Sequence, residues 1–225
     1  MRRALLVDLF STLVPGGQAE RVAVHREMAR VLGVDPDGFA QAFDETMHER
    51  FRGVYGDLPG TLRAMAQRSG VDPSEDQVQQ ATDMRLELAR RLLGAAPGPT
   101  LETLAALRAA GWLTGLVSNI TAETMHLWPR SALAQHFDTT AFSCEVGAAK
   151  PEPEIYLAAC DALGVAPTEC VYVADGSDNE LRAAADLGMD TIRTTEHSDT
   201  DPTWPGPTIG SFTELRFFLA APTLE

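Results

Sequence analysis

Lysine is almost missing from this chain. Of its 18 basic residues only Lys150 is a lysine, and all the others are arginine. Set against 32 acidic residues this leaves a net charge of −14 with no basic tract to offset it, which argues against nucleic acid and anionic membrane surfaces as partners. Cysteine is scarce as well. Cys144, Cys160 and Cys170 are an odd set without metal-ligand spacing, and Cys170 lies in an apolar run; they are expected to be reduced, buried thiols of a cytoplasmic protein. Long hydrophobic runs are also lacking. Met1-Arg-Arg-Ala-Leu-Leu-Val imitates the start of a signal peptide, but Asp8 interrupts it after four apolar residues, and no other segment approaches a membrane span. Repeats and low-complexity tracts are not apparent. What remains is 225 residues, one large or two small domains, ample for a core.

Within that frame four stretches stand out. Leu5-Leu6-Val7 reads as a strand buried on both faces, which suits a parallel sheet. It ends at Asp8, followed by Ser11 and Thr12, at the carboxyl end where open α/β sheets bind ligands. A second apolar run, Gly115-Leu-Val, ends in Ser118-Asn119. The third stretch is Ala148-Ala-Lys150-Pro151-Glu-Pro153. In a chain so set against lysine, a single ammonium suits a site needing a compact point charge against a phosphoryl group or carboxylate. The fourth, Cys170-Val-Tyr-Val-Ala-Asp175, leads into Asp178 and Glu180.

These four stretches, in this order, resemble the motifs of the haloacid dehalogenase-like hydrolase superfamily, and their spacing covers nearly the whole chain. The resemblance implies a phosphatase in which Asp8 attacks phosphorus and forms an aspartyl-phosphate. Ser118 and Lys150 would hold the phosphoryl oxygens and, with Thr12, stabilise their charge, while Asn119 is a neighbour supplying backbone N–H groups. It also implies Mg²⁺ held by Asp8, Asp175 and the main-chain carbonyl of Phe10, with Glu180 pairing with Lys150. Asp178 is the less favoured acid, because the family's five-residue spacing selects Glu180. Phosphatases of the family carry a general acid/base Asp two residues after the nucleophile, where this chain has Phe10. An aromatic there looks like the dehalogenase branch, whose halide leaves without a proton. That branch, however, resembles a Ser where this chain has Asp175, and its arginine in a Trp-Arg-like context is not found here. The expectation is therefore a Mg²⁺-dependent phosphatase of a small metabolite. The alternatives are a 2-haloacid dehalogenase using Asp8 on carbon and a non-catalytic phosphate-binding protein.

The fold expected is α/β, a doubly wound parallel sheet. Residues 1–15 and 95–225 would form the core and 16–94 a four-helix cap that closes over Asp8 and chooses the substrate. Val24, Met28 and Val31 mark the first cap helix, Phe39 and Phe43 the second, Leu62, Met65 and Ala66 the third, and Met84, Leu88 and Leu92 the fourth. Strands are expected over Trp112 to Val117, near Phe142, over Cys170 to Ala174 and over Asp190 to Arg193. Helices are expected over Thr100 to Ala110, from Pro153 to Gly164, from Ser177 to Leu187 and around Leu215 and Phe218. Tyr156 reads as a packed helix residue, and His25, His48, His126, His136 and His197 are too scattered to suggest a site. A monomer or homodimer is expected.

Overall fold

Ala4-Leu5-Leu6-Val7 has no polar side chain and must be covered on both faces. In the computed structural model, which describes residues 3–220, it is the central strand β1 (Ala4–Val7), entirely buried. β2 (Leu113–Ser118) and β3 (Thr139–Phe142) lie on one side of it, and β4 (Cys170–Ala174), β5 (Asp190–Thr194) and β6 (Thr208–Ile209) on the other. The order is β3-β2-β1-β4-β5-β6, and every pairing is parallel. This is the expected doubly wound sheet. Alternation along β1 divides the core in two. Leu5 and Val7 face a layer with α6 (Gly98–Ala109) and α7 (Ala122–Leu127), while Ala4 and Leu6 face α9 (Pro153–Leu163) and α10 (Glu180–Asp186).

Three expectations on this sheet are corrected. β2 pairs Leu113 with Ala4, so Trp112 lies outside it, its ring 5.9 Å from the guanidinium carbon of Arg3. β6 was not foreseen, because two residues beyond a proline-rich loop carry no period. The helix expected from Ser177 begins at Glu180, because Asp178 and Asn179 take left-handed φ values of 54° and 57° and a right-handed helix cannot continue through them.

Between β1 and β2 lie α1 (Gln18–Leu32), α2 (Pro36–Glu45), α3 (Met47–Phe51), α4 (Leu58–Arg68) and α5 (Glu75–Leu93). Asp35 caps α2 by accepting from the Gly38 N–H at 2.7 Å, and Ser74 caps α5 in a reciprocal pair with Gln77. These helices bury their own apolar cluster, including Met28, Phe39, Phe43, Leu62 and Met65. Four helices were expected and five are present; α3 is a five-residue turn, too short to show a period. The buried stripe of α1 is His25, Met28, Ala29 and Leu32, one position round from Val24, Met28 and Val31. A histidine therefore sits in the core face.

The chain builds outward from β1 to β2 and β3, then crosses back to β4. The crevice at that reversal, between the carboxyl ends of β1 and β4, is where such sheets hold ligands. Two short helices complete the described chain: α8 (Ser143–Val146) and α11 (Leu215–Ala220). Within the second, Leu215 is buried and Phe218 is exposed. Cys160 and Cys170 are buried free thiols, whereas Cys144 is partly exposed. No helix among the described residues is long and apolar enough to cross a membrane.

Candidate active site

The turn after β1 is built to present a carboxylate. Leu13 and Val14 both donate their N–H to the Leu9 carbonyl, and Ser11 donates to Val14. Closing so tight a loop puts Ser11 at φ 65°, a conformation that costs a non-glycine residue about 1–3 kcal/mol. Thr12, fully buried, donates its hydroxyl to Asp8 Oδ2 at 2.9 Å and accepts the Asp175 N–H at 3.1 Å. One side chain thus ties the ends of β1 and β4 together.

Lys150 meets Asp8 from the neighbouring loop. Its ammonium donates to Asp8 Oδ1 at 2.5 Å and to Glu180 Oε2 at 2.6 Å, and it is only 4% exposed. Burial alone would lower the Lys150 pKa, but Asp8 and Glu180 raise it, so the ammonium stays charged. Lys150 is held by its own backbone. Its N–H donates to Asn119 Oδ1 at 2.8 Å while Asn119 Nδ2 donates to the Lys150 carbonyl at 3.1 Å. The turn that follows Ser118, at the end of β2, and carries Asn119 is itself fixed by Ser143, which accepts from the Ile120 N–H and donates to the Ile120 carbonyl. α7 begins at Ala122, so Ser118 is free of any capping duty there.

Glu180 is fully buried and accepts from Lys150, from the Tyr172 hydroxyl at 2.6 Å and from the Gly176 N–H at 3.2 Å. The Tyr156 hydroxyl donates to its carbonyl at 3.0 Å. Asp175, 1% exposed, accepts on one oxygen from Ser177 and on the other from Ser198 and Thr200. Asp8, Asp175 and Glu180 thus bring carboxylate oxygens within 4.8 Å of one another. Burial raises the Asp8 pKa; Lys150 opposes that and Asp175 reinforces it. Burial raises Glu180 too, against Lys150 and with Asp8 and Asp175. Three crowded carboxylates face a single ammonium, an excess of negative charge that suits a divalent cation held by carboxylate oxygens.

Asp8, Phe10, Ser118, Asn119, Lys150 and Asp175 all line one cavity of about 440 Å³. Thr12 and Glu180 lie behind its wall, against Asp8 and Lys150. Asp178 stands exposed at its edge, its carboxylate 3.5 Å from Asn119 Nδ2. The opposite wall comes from the inserted helices and holds residues that sequence reasoning missed. Arg21 lies with its guanidinium carbon 4.4 Å from the Phe10 ring centroid, and Arg50 and Arg85 reach the same cavity. Arg85 Nε donates to Glu123 Oε1 at 2.8 Å in a pair that is 5% and 4% exposed, joining α5 to α7.

His25 packs between this group and Phe43, the two rings 4.6 Å apart. Its Nε2 lies 3.3 Å from an Arg85 nitrogen, which must be the donor, so the imidazole is neutral with its proton on Nδ1. Burial lowers its pKa from 6.5 to about 3, and Arg85, Arg50 and Arg21 add to the effect. Between these values the unfolded chain takes up a proton that the folded chain refuses, so His25 makes stability fall as pH drops through that window. His25→Phe should reduce the loss of urea midpoint between pH 7 and pH 4.5. An unaltered difference would show that His25 does not titrate as described.

A family model for haloacid dehalogenase-like hydrolases matches residues 3–188. The chain belongs to this hydrolase family. Among its relatives, the glyceraldehyde 3-phosphate phosphatase of Methanopyrus kandleri is 28% identical over 196 residues, covering 86% of this chain and 84% of that protein. The (S)-2-haloacid dehalogenase 4A of Burkholderia cepacia is 34% identical over 110 residues, 48% of this chain and 47% of the dehalogenase. A HAD family enzyme from Bacteroides thetaiotaomicron, solved in complex with magnesium and inorganic phosphate, superposes with a TM-score of 0.63. It is 21% identical and the match covers 90% of this chain and 98% of that one. Both chemistries expected from the sequence thus occur among its relatives.

Proposed function

We propose that this hydrolase is a Mg²⁺-dependent phosphatase acting on a small phosphorylated metabolite. The observation that carries the reading is the buried set of Asp8, Asp175 and Glu180 against the single ammonium of Lys150. Asp8 and Asp175, with the Phe10 carbonyl, would hold the cation, which would screen phosphoryl charge as Asp8 approaches. Support comes from the phosphatase relative aligned over most of both chains and from the similarly folded HAD family enzyme solved with magnesium and phosphate.

In this reading an Asp8 carboxylate oxygen bonds to phosphorus as the ester P–O bond breaks, and the leaving oxygen departs as an anion that takes its proton from solvent. Thr12 orients the carboxylate from behind. Lys150 and Ser118 take the charge of the phosphoryl oxygens, with Asn119 fixing the Lys150 backbone, and Glu180 anchors the ammonium. Water then attacks phosphorus, breaks the acyl phosphate and returns Asp8 and phosphate. No carboxylic acid stands at Phe10 to protonate the departing oxygen, so the barrier should climb with leaving-group basicity.

A second reading, a 2-haloacid dehalogenase in which Asp8 displaces halide from carbon, is favoured by Phe10 and by the arginines on the helical wall. One experiment separates the two. Phosphate esters of graded leaving-group pKa and 2-haloacids are assayed with chelator and with Mg²⁺ restored. The phosphatase should fall silent on chelation, recover with Mg²⁺, and favour aryl over alkyl phosphates. Haloacid turnover that survives chelation would replace it with the dehalogenase.

A further inference from the structure

The wall opposite Asp8 is cationic. Arg21 of α1, Arg50 of α3 and Arg85 of α5 line the same cavity as Asp8 and Lys150. The carboxylates among them are Glu123, already paired with Arg85, and the exposed Asp44. His25 between them is uncharged. Arg50 is 8% exposed; one of its terminal nitrogens donates to the Phe43 carbonyl at 2.7 Å, and its guanidinium carbon lies 4.5 Å from the Phe43 ring centroid. Its Nε has no hydrogen-bond partner among the described residues. Arg21 spends Nε on the Gly16 carbonyl at 2.8 Å and stacks over Phe10.

Gathering guanidinium groups in one partly buried cavity is costly unless an anion meets them. Burial, with Arg85 adding to it, lowers both Arg21 and Arg50 to about 10, so both remain charged at neutral pH. A guanidinium fork matches a carboxylate or a phosphate, and Asp8 with Lys150 already accounts for the reacting end of the cavity. We infer that Arg21 and Arg50 form a second anion site, which binds a carboxylate or phosphate carried by the substrate at a distance from the group that Asp8 attacks. The inference rests on the phosphatase reading for the reacting group. The substrate class is then a phosphate ester bearing a distal acidic group. The site selects it by charge rather than shape. Phe10, beneath Arg21, is the apolar floor over which such a substrate lies.

The test compares three aryl phosphates of similar leaving-group acidity, para-carboxyphenyl, para-phosphonophenyl and the uncharged para-carbamoylphenyl phosphate. Wild-type protein should prefer at least one anionic ester in kcat/KM by about tenfold or more, the worth of one charged hydrogen bond. That preference should shrink towards unity in Arg21→Gln and in Arg50→Gln. Whichever ester is preferred names the distal group. No preference in wild type, or one that survives in both variants, overturns the inference. Arg21 is half-buried and Arg50 buried, so Arg21→Gln keeps the test open if Arg50→Gln fails to fold. Should none of the esters be turned over, the phosphatase reading fails and the anion site is judged by calorimetric binding of para-hydroxybenzoate. Binding by wild type that Arg21→Gln loses upholds the site. Absent or equal binding overturns it.

Discussion

Asp8→Asn should abolish turnover while leaving the protein folded. The amide keeps the shape of the carboxylate and can still accept from Thr12, but it offers no anion to attack phosphorus. Loss of a nucleophile costs roughly 10⁴-fold or more in kcat, far beyond what a misplaced binding group removes. The substitution also takes one negative charge from a buried set of three, so the folded state is relieved of some repulsion even as Lys150 loses a partner. Thermal unfolding of the variant should therefore stay close to wild type, and single-turnover assays should show no burst of alcohol release. Activity within tenfold of wild type would remove Asp8 from the nucleophile's place in either hydrolytic reading.

Lys150→Met should damage stability as well as activity. No other lysine exists in the chain, and the ammonium joins Asp8 to Glu180 at 2.5 and 2.6 Å with almost no exposure. Removing one member of a buried ionic cluster strands the others and costs about 3–5 kcal/mol. The repulsion that remains lies chiefly between Asp8, Asp175 and Glu180, so adding Asp8→Asn to Lys150→Met should return part of the loss. This coupling should exceed about 1 kcal/mol in a double-mutant cycle by urea unfolding. Strict additivity would mean that the three carboxylates do not share their charge through Lys150. Lys150→Arg should not restore activity, because a planar fork does not occupy the volume of an ammonium.

Much of the reacting end was legible because its signals are local. Asp8 and Asp175 each terminate an apolar run that can only be a buried strand, and Lys150 is conspicuous by its rarity. The arginine wall was hidden for the opposite reason. Arginine serves as the chain's ordinary surface cation, so Arg21, Arg50 and Arg85 blend with the exposed ones. A trace of signal was present nonetheless. Arg85 falls in the stripe of Ala81, Leu88 and Leu92 on α5, and His25 in that of Met28 and Leu32 on α1; polar residues on a core face mark a buried site. α3 and β6 escaped because five and two residues fall short of any period. The left-handed pair Asp178 and Asn179 escaped because neither is a glycine, the residue that ordinarily marks such backbone.

The position of β1 has a temporal consequence. It is synthesised before the other strands of its sheet, and its neighbours in register, Leu113 and Cys170 opposite Ala4, come far later. Throughout that interval the apolar strand has no sheet to join, whereas α1 to α5 already hold the residues of a local apolar cluster. Contacts close in sequence form sooner than distant ones, so the helices that carry the arginine wall should assemble before Asp8 has a sheet to stand on. A nascent chain halted before β4 would carry Asp8 without Asp175 or Glu180. Even once Cys170 to Glu180 clear the exit tunnel, Asp175 would still wait for the hydroxyls of Ser198 and Thr200 to hold it.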